Sequence, residues 1–130
     1  FIENAISEIP LTVNGDGSDS LDFTYIDDLV QGVLRCIENK NSINQIFNIT
    51  YGSARQLKDL AKIVLDNFPN CKLECKPRDD LMPERGTLSI DKAKNLIGYD
   101  PQFPIEIGFK KYIDWYKSYS KNNNSFFEKK

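Results

Sequence analysis

The chain of 130 residues contains no histidine. That absence removes Ser-His-Asp, Cys-His and every other imidazole-based acid–base mechanism, so chemistry here has to come from Tyr, Lys, carboxylates or a bound cofactor. Cysteine is scarce as well. Cys36, Cys71 and Cys75 are an odd number of thiols, and Cys71 with Cys75 has neither a His nor a second pair to complete a zinc site, so free thiols and no metal are expected. No apolar run approaches the roughly 20 residues of a membrane span, and no basic segment followed by an apolar core opens the chain, which predicts a cytoplasmic protein without membrane contact. An excess of one charge is missing too. Seventeen basic residues against 19 acidic ones give a net charge of −2 and no basic stripe, which argues against nucleic acid as a partner.

What is present fits one α/β unit. With 40% hydrophobic residues the chain can bury a real core, and it is too short for two ordinary domains. Phe1 to Ile6 reads as the end of an amphipathic helix whose start is absent. Pro10 to Val13 reads as a strand, Asn14-Gly15-Asp16-Gly17-Ser18 as a turn tolerant of positive φ, and Leu21 to Tyr25 as a second strand, so that residues 10–25 form a hairpin. Asp27 or Asp28 is expected to cap a helix through Asn39 that buries Leu29, Val30, Val33, Leu34 and Ile37.

Gln45 to Thr50 reads as a strand. Ser53 to Gln56 reads as a capping box for a helix with Leu57, Leu60, Ala61, Val64 and Phe68 on one face. Lys72 to Lys76 suits a strand, and Pro77 to Gly86 a charged loop. Ser89 is placed to cap a short helix over Asp91 to Ile97 that ends at Gly98. A last helix runs from Ile105 to about Tyr119 with Ile105, Phe109, Tyr112, Ile113 and Tyr116 inward. Residues 121–130 lack periodicity and read as a flexible tail. Phe23, Tyr25, Phe47, Trp115 and Tyr116 are expected in the core.

The order of four blocks carries a resemblance: "PLTVNGDGSDSLDFTYIDDLVQGVLRCIE", "NQIFNITYG", "PRDDLMPERGTLSIDKAKNLIGYDP" and "GFKKYIDWYKS". Together they resemble the C-terminal part of the extended short-chain dehydrogenases that include NAD(P)-dependent nucleotide-sugar epimerases and dehydratases. The resemblance implies that residues 1–120 are an α/β C-terminal domain binding a nucleotide sugar, with strand segments that would join a Rossmann sheet. It also implies NAD held mainly by an N-terminal Rossmann domain of the same or another chain, and a possible homodimer. Closest in look are the UDP-sugar 4-epimerases, in which C4 is oxidised to a ketone and reduced again on the other face. A 4,6-dehydratase or reductase would use the same scaffold.

The family's glycine fingerprint and its Tyr-x-x-x-Lys pair are not found. Gly15-Asp16-Gly17 lacks the third glycine and the βαβ setting, and none of the six tyrosines has lysine four residues on. No catalytic or cofactor-binding residue is therefore assigned, and substrate recognition remains. By resemblance, Leu11, Thr12 and Asn14 lie on the strand whose edge holds the nucleobase, and Arg78 and Arg85 on the loop that meets the phosphates. Guanidinium forks suit phosphate oxygens; a solvated arginine paired with Asp79, Asp80 or Glu84 is the plainer alternative. Leu21 stands where the family usually has an arginine that reaches the diphosphate. Asp22, Asp27 and Asp28 are read as structural. Two other classes stay open: a noncatalytic sugar-nucleotide-binding module, and an interaction domain that kept the fold and lost the ligand. The sequence leaves undecided the sugar, the base and NAD versus NADP.

Overall fold

The structure is a computed structural model and describes residues 1–122. Its elements run α1 (Ile2–Ile6), β1 (Leu11–Asn14), β2 (Ser20–Leu21), α2 (Ile26–Glu38), β3 (Arg55–Gln56), α3 (Leu57–Asn67), β4 (Leu73–Lys76), α4 (Asp91–Ile97) and α5 (Ile105–Asn122), with a single 3-10 turn at Lys40–Ser42. α5 thus extends into the segment expected as a tail, whose residues 123–130 lie outside the described ones. No helix among the described residues is long and apolar enough to cross a membrane.

Residues 10–25 do not form a hairpin. β1 pairs in parallel with β4, Leu11 opposite Leu73 and Asn14 opposite Lys76. β2 instead pairs antiparallel with β3, Ser20 opposite Gln56 and Leu21 opposite Arg55. The Asn14–Ser18 turn is real, with Gly15 at φ 72° and Gly17 at φ 78°. It carries the chain away from β1 rather than back along it, and the long-range partners win over the local one. Gln45 to Thr50 keeps the alternation of a strand, with Phe47 and Ile49 against the core and Ile46 87% exposed. It has no ladder, because among the described residues no strand lies beside it.

Two buried clusters hold the fold. One joins Ala5, Leu11, Ala61, Val64 and Cys71, backed by Phe1, Leu65, Phe68 and Phe109. The α3 face read from periodicity supplies much of it, and its capping box is formed three residues later than expected, by Gln56 and Asp59. The other cluster joins Ile90, Ala93, Ile97 and Tyr99, backed by Cys36, Phe47 and Ile49. α4 ends as the sequence implied, at Gly98 in the left-handed region, while Ser89 Oγ accepts from the Asp91 amide at 3.3 Å.

α2 is turned the other way round from the expected stripe. Leu29, Val30, Val33, Leu34 and Ile37 are between 41% and 75% exposed, and the buried residues of the helix are Asp28 and Gly32. Close approach explains the inversion. A Cβ on Gly32 would lie 2.4 Å from Ile49 Cγ2 and 3.2 Å from Tyr99 Cε2, so the helix meets the second cluster through its glycine. One turn earlier Asp28 reaches across and accepts from the amides of Gln102 at 2.7 Å and Phe103 at 3.0 Å. The expected cap is absent, since Tyr25 is the N-cap residue and no side chain caps there.

Trp115 also departs from expectation. It is 55% exposed and stacks between Tyr112 and Tyr119, with ring centroids 5.8 and 5.2 Å away.

Candidate functional site

The parallel β1–β4 pair fixes which backbone groups remain available. Leu11 donates its N–H to Lys72 O and Gly15 donates to Lys76 O, each at 2.7 Å, so the odd positions of β1 face β4. By the alternation of a parallel ladder, the N–H and C=O groups of Thr12 and Asn14 point to the opposite edge. No strand covers that edge among the described residues. Leu11 is different: its side chain is fully buried in the first cluster and its amide is spent on β4. Of the three strand residues expected at the site, two keep donors and acceptors free and one is core.

The turn after β1 sits under a cation. The side chain of Arg78 packs over Gly15, where a Cβ would lie 3.5 Å from Arg78 Cβ. Its guanidinium forks onto Asp19, with Nε and Nη2 both 3.2 Å from Oδ1, and Nη2 also donates to Met82 O at 3.0 Å. That hydrogen bond to Asp19, more than any other contact, raises the Arg78 pKa above its ordinary value. The partner is Asp19 and not one of the neighbouring loop acids expected from sequence. Arg85, by contrast, is exposed in the loop and has no hydrogen bond or ion pair among the described residues. Asn14, the Gly15–Gly17 turn and Arg78 are brought together, and Arg85 is not drawn in.

Asp19 at this turn and Arg55 on the adjoining ribbon had no signal in the sequence. Asp19 becomes a site residue only through the β2–β3 ribbon. Arg55 stands opposite Leu21 on the neighbouring strand. It donates to Glu106 Oε1 at 2.9 Å, Ser53 Oγ at 2.8 Å and Ala54 O at 3.1 Å. The register that would have revealed Arg55 depends on a pairing across more than thirty residues.

The neighbouring carboxylates are structural. Asp22 accepts from the amides of Gly52 at 3.1 Å and Leu88 at 3.2 Å, tying β2 to two loops. Asp16 accepts from the Ser18 amide at 2.9 Å, and its hydrogen bonds with Ser18 hold its carboxyl below the usual range.

The Gly15–Gly17 turn does not fit a dinucleotide pyrophosphate. A phosphate cradle needs free amides at a helix N-terminus. The first amides of α3, on Leu57 and Lys58, are taken by Asp19 O and Gly17 O at 2.9 and 3.0 Å. A Cβ on Gly17 would lie 3.0 Å from Lys58 Cβ, so no space is open there.

A separate cavity of about 770 Å³ opens between Phe23, Tyr25 and Ile26 on one side and Ile105, Phe109 and Trp115 on the other. Its wall is mostly apolar, and none of the sequence-expected site residues lines it.

An α/β protein of parallel-strand type, with an open sheet edge beside a cationic turn, is the class that fold and site define. Comparison with known proteins narrows it. Residues 1–50 match the model of the NAD dependent epimerase/dehydratase family. UDP-glucuronic acid decarboxylase 4 of Arabidopsis thaliana is 33% identical over 83% of this chain and 24% of its own length. The UDP-glucuronate 4-epimerase of Thermodesulfobacterium geofontis is 31% identical over 90% of this chain and 36% of its own length. Among solved structures, the epimerase Mth375 of Methanothermobacter thermautotrophicus superposes with a TM-score of 0.88 at 27% identity, over 95% of this chain and 38% of that one. The UDP-glucuronic acid 4-epimerase of Bacillus cereus, solved with UDP-glucuronic acid and NAD, gives 0.80 at 27% identity, over 90% and 38%. The chain belongs to the NAD-dependent epimerase/dehydratase family and spans between about a quarter and two fifths of the length of these relatives.

The matches correct the placement of this chain in the C-terminal part of these enzymes. The family model begins to match at Phe1 and ends at residue 50, and the parallel pairing of β1 with β4 is that of a Rossmann-type sheet. What they support is an α/β portion aligned with the Rossmann part of these enzymes. The order of short motifs does not say which sheet a strand enters.

Proposed function

We propose that the chain is part of an NAD-dependent enzyme that epimerises a UDP-sugar at C4, and that Thr12, Asn14, Arg78 and Arg85 serve its nucleotide end. The observation that carries this reading is the free edge of β1 beside the Arg78 guanidinium. Free backbone donors and acceptors at Thr12 and Asn14 suit a pyrimidine edge, and a planar guanidinium one turn away suits the phosphates that follow the ribose. Arg78 is held by Asp19 until an anion replaces that carboxylate, and Arg85, exposed on the same loop, is assigned a second charge. Leu11 contributes only to the core.

The relatives support the substrate class, since a 4-epimerase and decarboxylases of UDP-glucuronate are among them. NAD, when bound, supplies the acceptor and donor of hydride; no residue of this chain is assigned to it. Decarboxylation of a UDP-uronate is the second reading, favoured by the Arabidopsis relatives. Both readings share the nucleotide end and therefore the same test. Calorimetric titration with UDP should give saturable binding that Arg78→Ala weakens by about tenfold or more, the loss expected for a charge-assisted fork. A folded sample that takes up no UDP, or an Arg78→Ala variant that binds it unchanged, refutes the assignment.

A further inference from the structure

We infer that Arg55, which stands on β3 opposite Leu21, is a further phosphate-binding residue that works with Arg78 and Arg85 on the diphosphate. The inference rests on the nucleotide-sugar reading and goes one residue beyond it. Directly opposed residues of an antiparallel pair project from the same face, with Cβ atoms about 5 Å apart. Leu21 and Arg55 are such a pair, so the face that Leu21 leaves without charge receives a guanidinium from the other strand.

The same ribbon presents Arg78. Leu57 N–H donates to Asp19 O at 2.9 Å, which continues the β2–β3 pairing by one residue. Asp19 and Leu21 are two residues apart on an extended segment and therefore share a face. Arg78, anchored on Asp19, and Arg55, beside Leu21, are thus attached about 7 Å apart along one face of the ribbon.

These two arginines make the ion pairs found among the described residues, Arg55 with Glu106 at 2.9 Å and Arg78 with Asp19 at 3.2 Å. Neither pair is sealed. The Arg55 side chain is 34% exposed and that of Glu106 52%. A diphosphate brings two acceptor groups of higher charge to two guanidiniums whose present partners are solvent-accessible carboxylates. Exchange of partners then needs only side-chain movement. A tether between β3 and the first turn of α5 is the competing role for Arg55, and it makes a different prediction for Glu106.

The test is titration of the protein with UDP and with uridine, which differ only in the diphosphate. Arg55→Ala should weaken UDP about tenfold or more while changing uridine less than twofold. Glu106→Gln should leave UDP binding as tight or tighter, because it frees the guanidinium. Leu21→Arg in the Arg55→Ala background should restore most of the lost UDP affinity, and Arg55→Lys, which keeps charge without the fork, should fall between. Equal losses from Arg55→Ala and Glu106→Gln, or an unchanged UDP-to-uridine ratio in Arg55→Ala, would overturn the role of Arg55 while leaving the nucleotide-sugar reading standing. Absence of UDP binding by the folded wild type would overturn both.

Discussion

Replacing Asp28 by alanine tests how the molecule is held together around α2. The carboxylate is 1% exposed and accepts from two backbone amides, at 2.7 and 3.0 Å, that begin the approach to α5. Each hydrogen bond to a charged acceptor is worth about 1.5–3 kcal/mol, and its removal leaves a backbone amide without its partner. Two such losses come to roughly 3–6 kcal/mol. Relief from desolvating a carboxylate returns part of this, so a net destabilisation of about 3 kcal/mol is expected. Asp28→Asn keeps the volume and one acceptor but turns an NH₂ toward the second amide, and should cost about 2 kcal/mol. Urea unfolding gives both values. Hydrogen exchange gives the location, because the amides of Gln102 and Phe103 should lose protection first. A loss below about 1 kcal/mol in Asp28→Ala, with those two amides exchanging at the wild-type rate, would refute the claim that Asp28 pins the helix.

Gly32→Ala gains about 1 kcal/mol of helix propensity but forces a methyl into Ile49 and Tyr99, so a net loss of about 1–2 kcal/mol is expected by urea unfolding; stabilisation would refute the close approach of α2 to Ile49. Val33→Asn and Ile37→Asn, on the outward face of α2, should each change stability by less than about 0.5 kcal/mol, whereas losses of 2 kcal/mol or more would restore the inward stripe expected from sequence. Tyr99 gives an alkaline limb. Burial, helped by the charges of Asp28 and Asp22, pushes its phenol up to about 12 from 10.0. The folded state holds the proton more tightly than the unfolded one, so this contribution is complete below pH 10 and is lost as pH rises toward 12. A difference of two units is worth about 2–3 kcal/mol, and a melting-temperature profile of Tyr99→Phe should lack that limb.

Much of the fold was legible because it depends on local chemistry. The face of α3, the αL stop at Gly98 and the strand at β4 follow from periodicity and from one glycine. The candidate site was legible in part: Asn14 and Arg78 were named, and they meet at one turn. Asp19 and Arg55 were missed, since nothing about an acid at the end of a turn or an arginine before a helix marks them as the partners of Arg78 and Leu21.

What the sequence by itself determined is therefore the set of elements and their residue types. Amphipathic spacing, caps and turn glycines act over one to four residues and need no partner. The tertiary structure alone decided which strands pair and which side of α2 faces inward. A hairpin at residues 10–25 satisfied every local rule. It loses because pairing with β4 leaves Leu11 buried with its amide bonded to Lys72 O, while β3 takes up β2. The apolar stripe of α2 loses to Gly32 and Asp28 for a similar reason. Only a glycine admits Ile49 and Tyr99 at that distance, and a buried carboxylate finds its two amides seventy residues away along the chain.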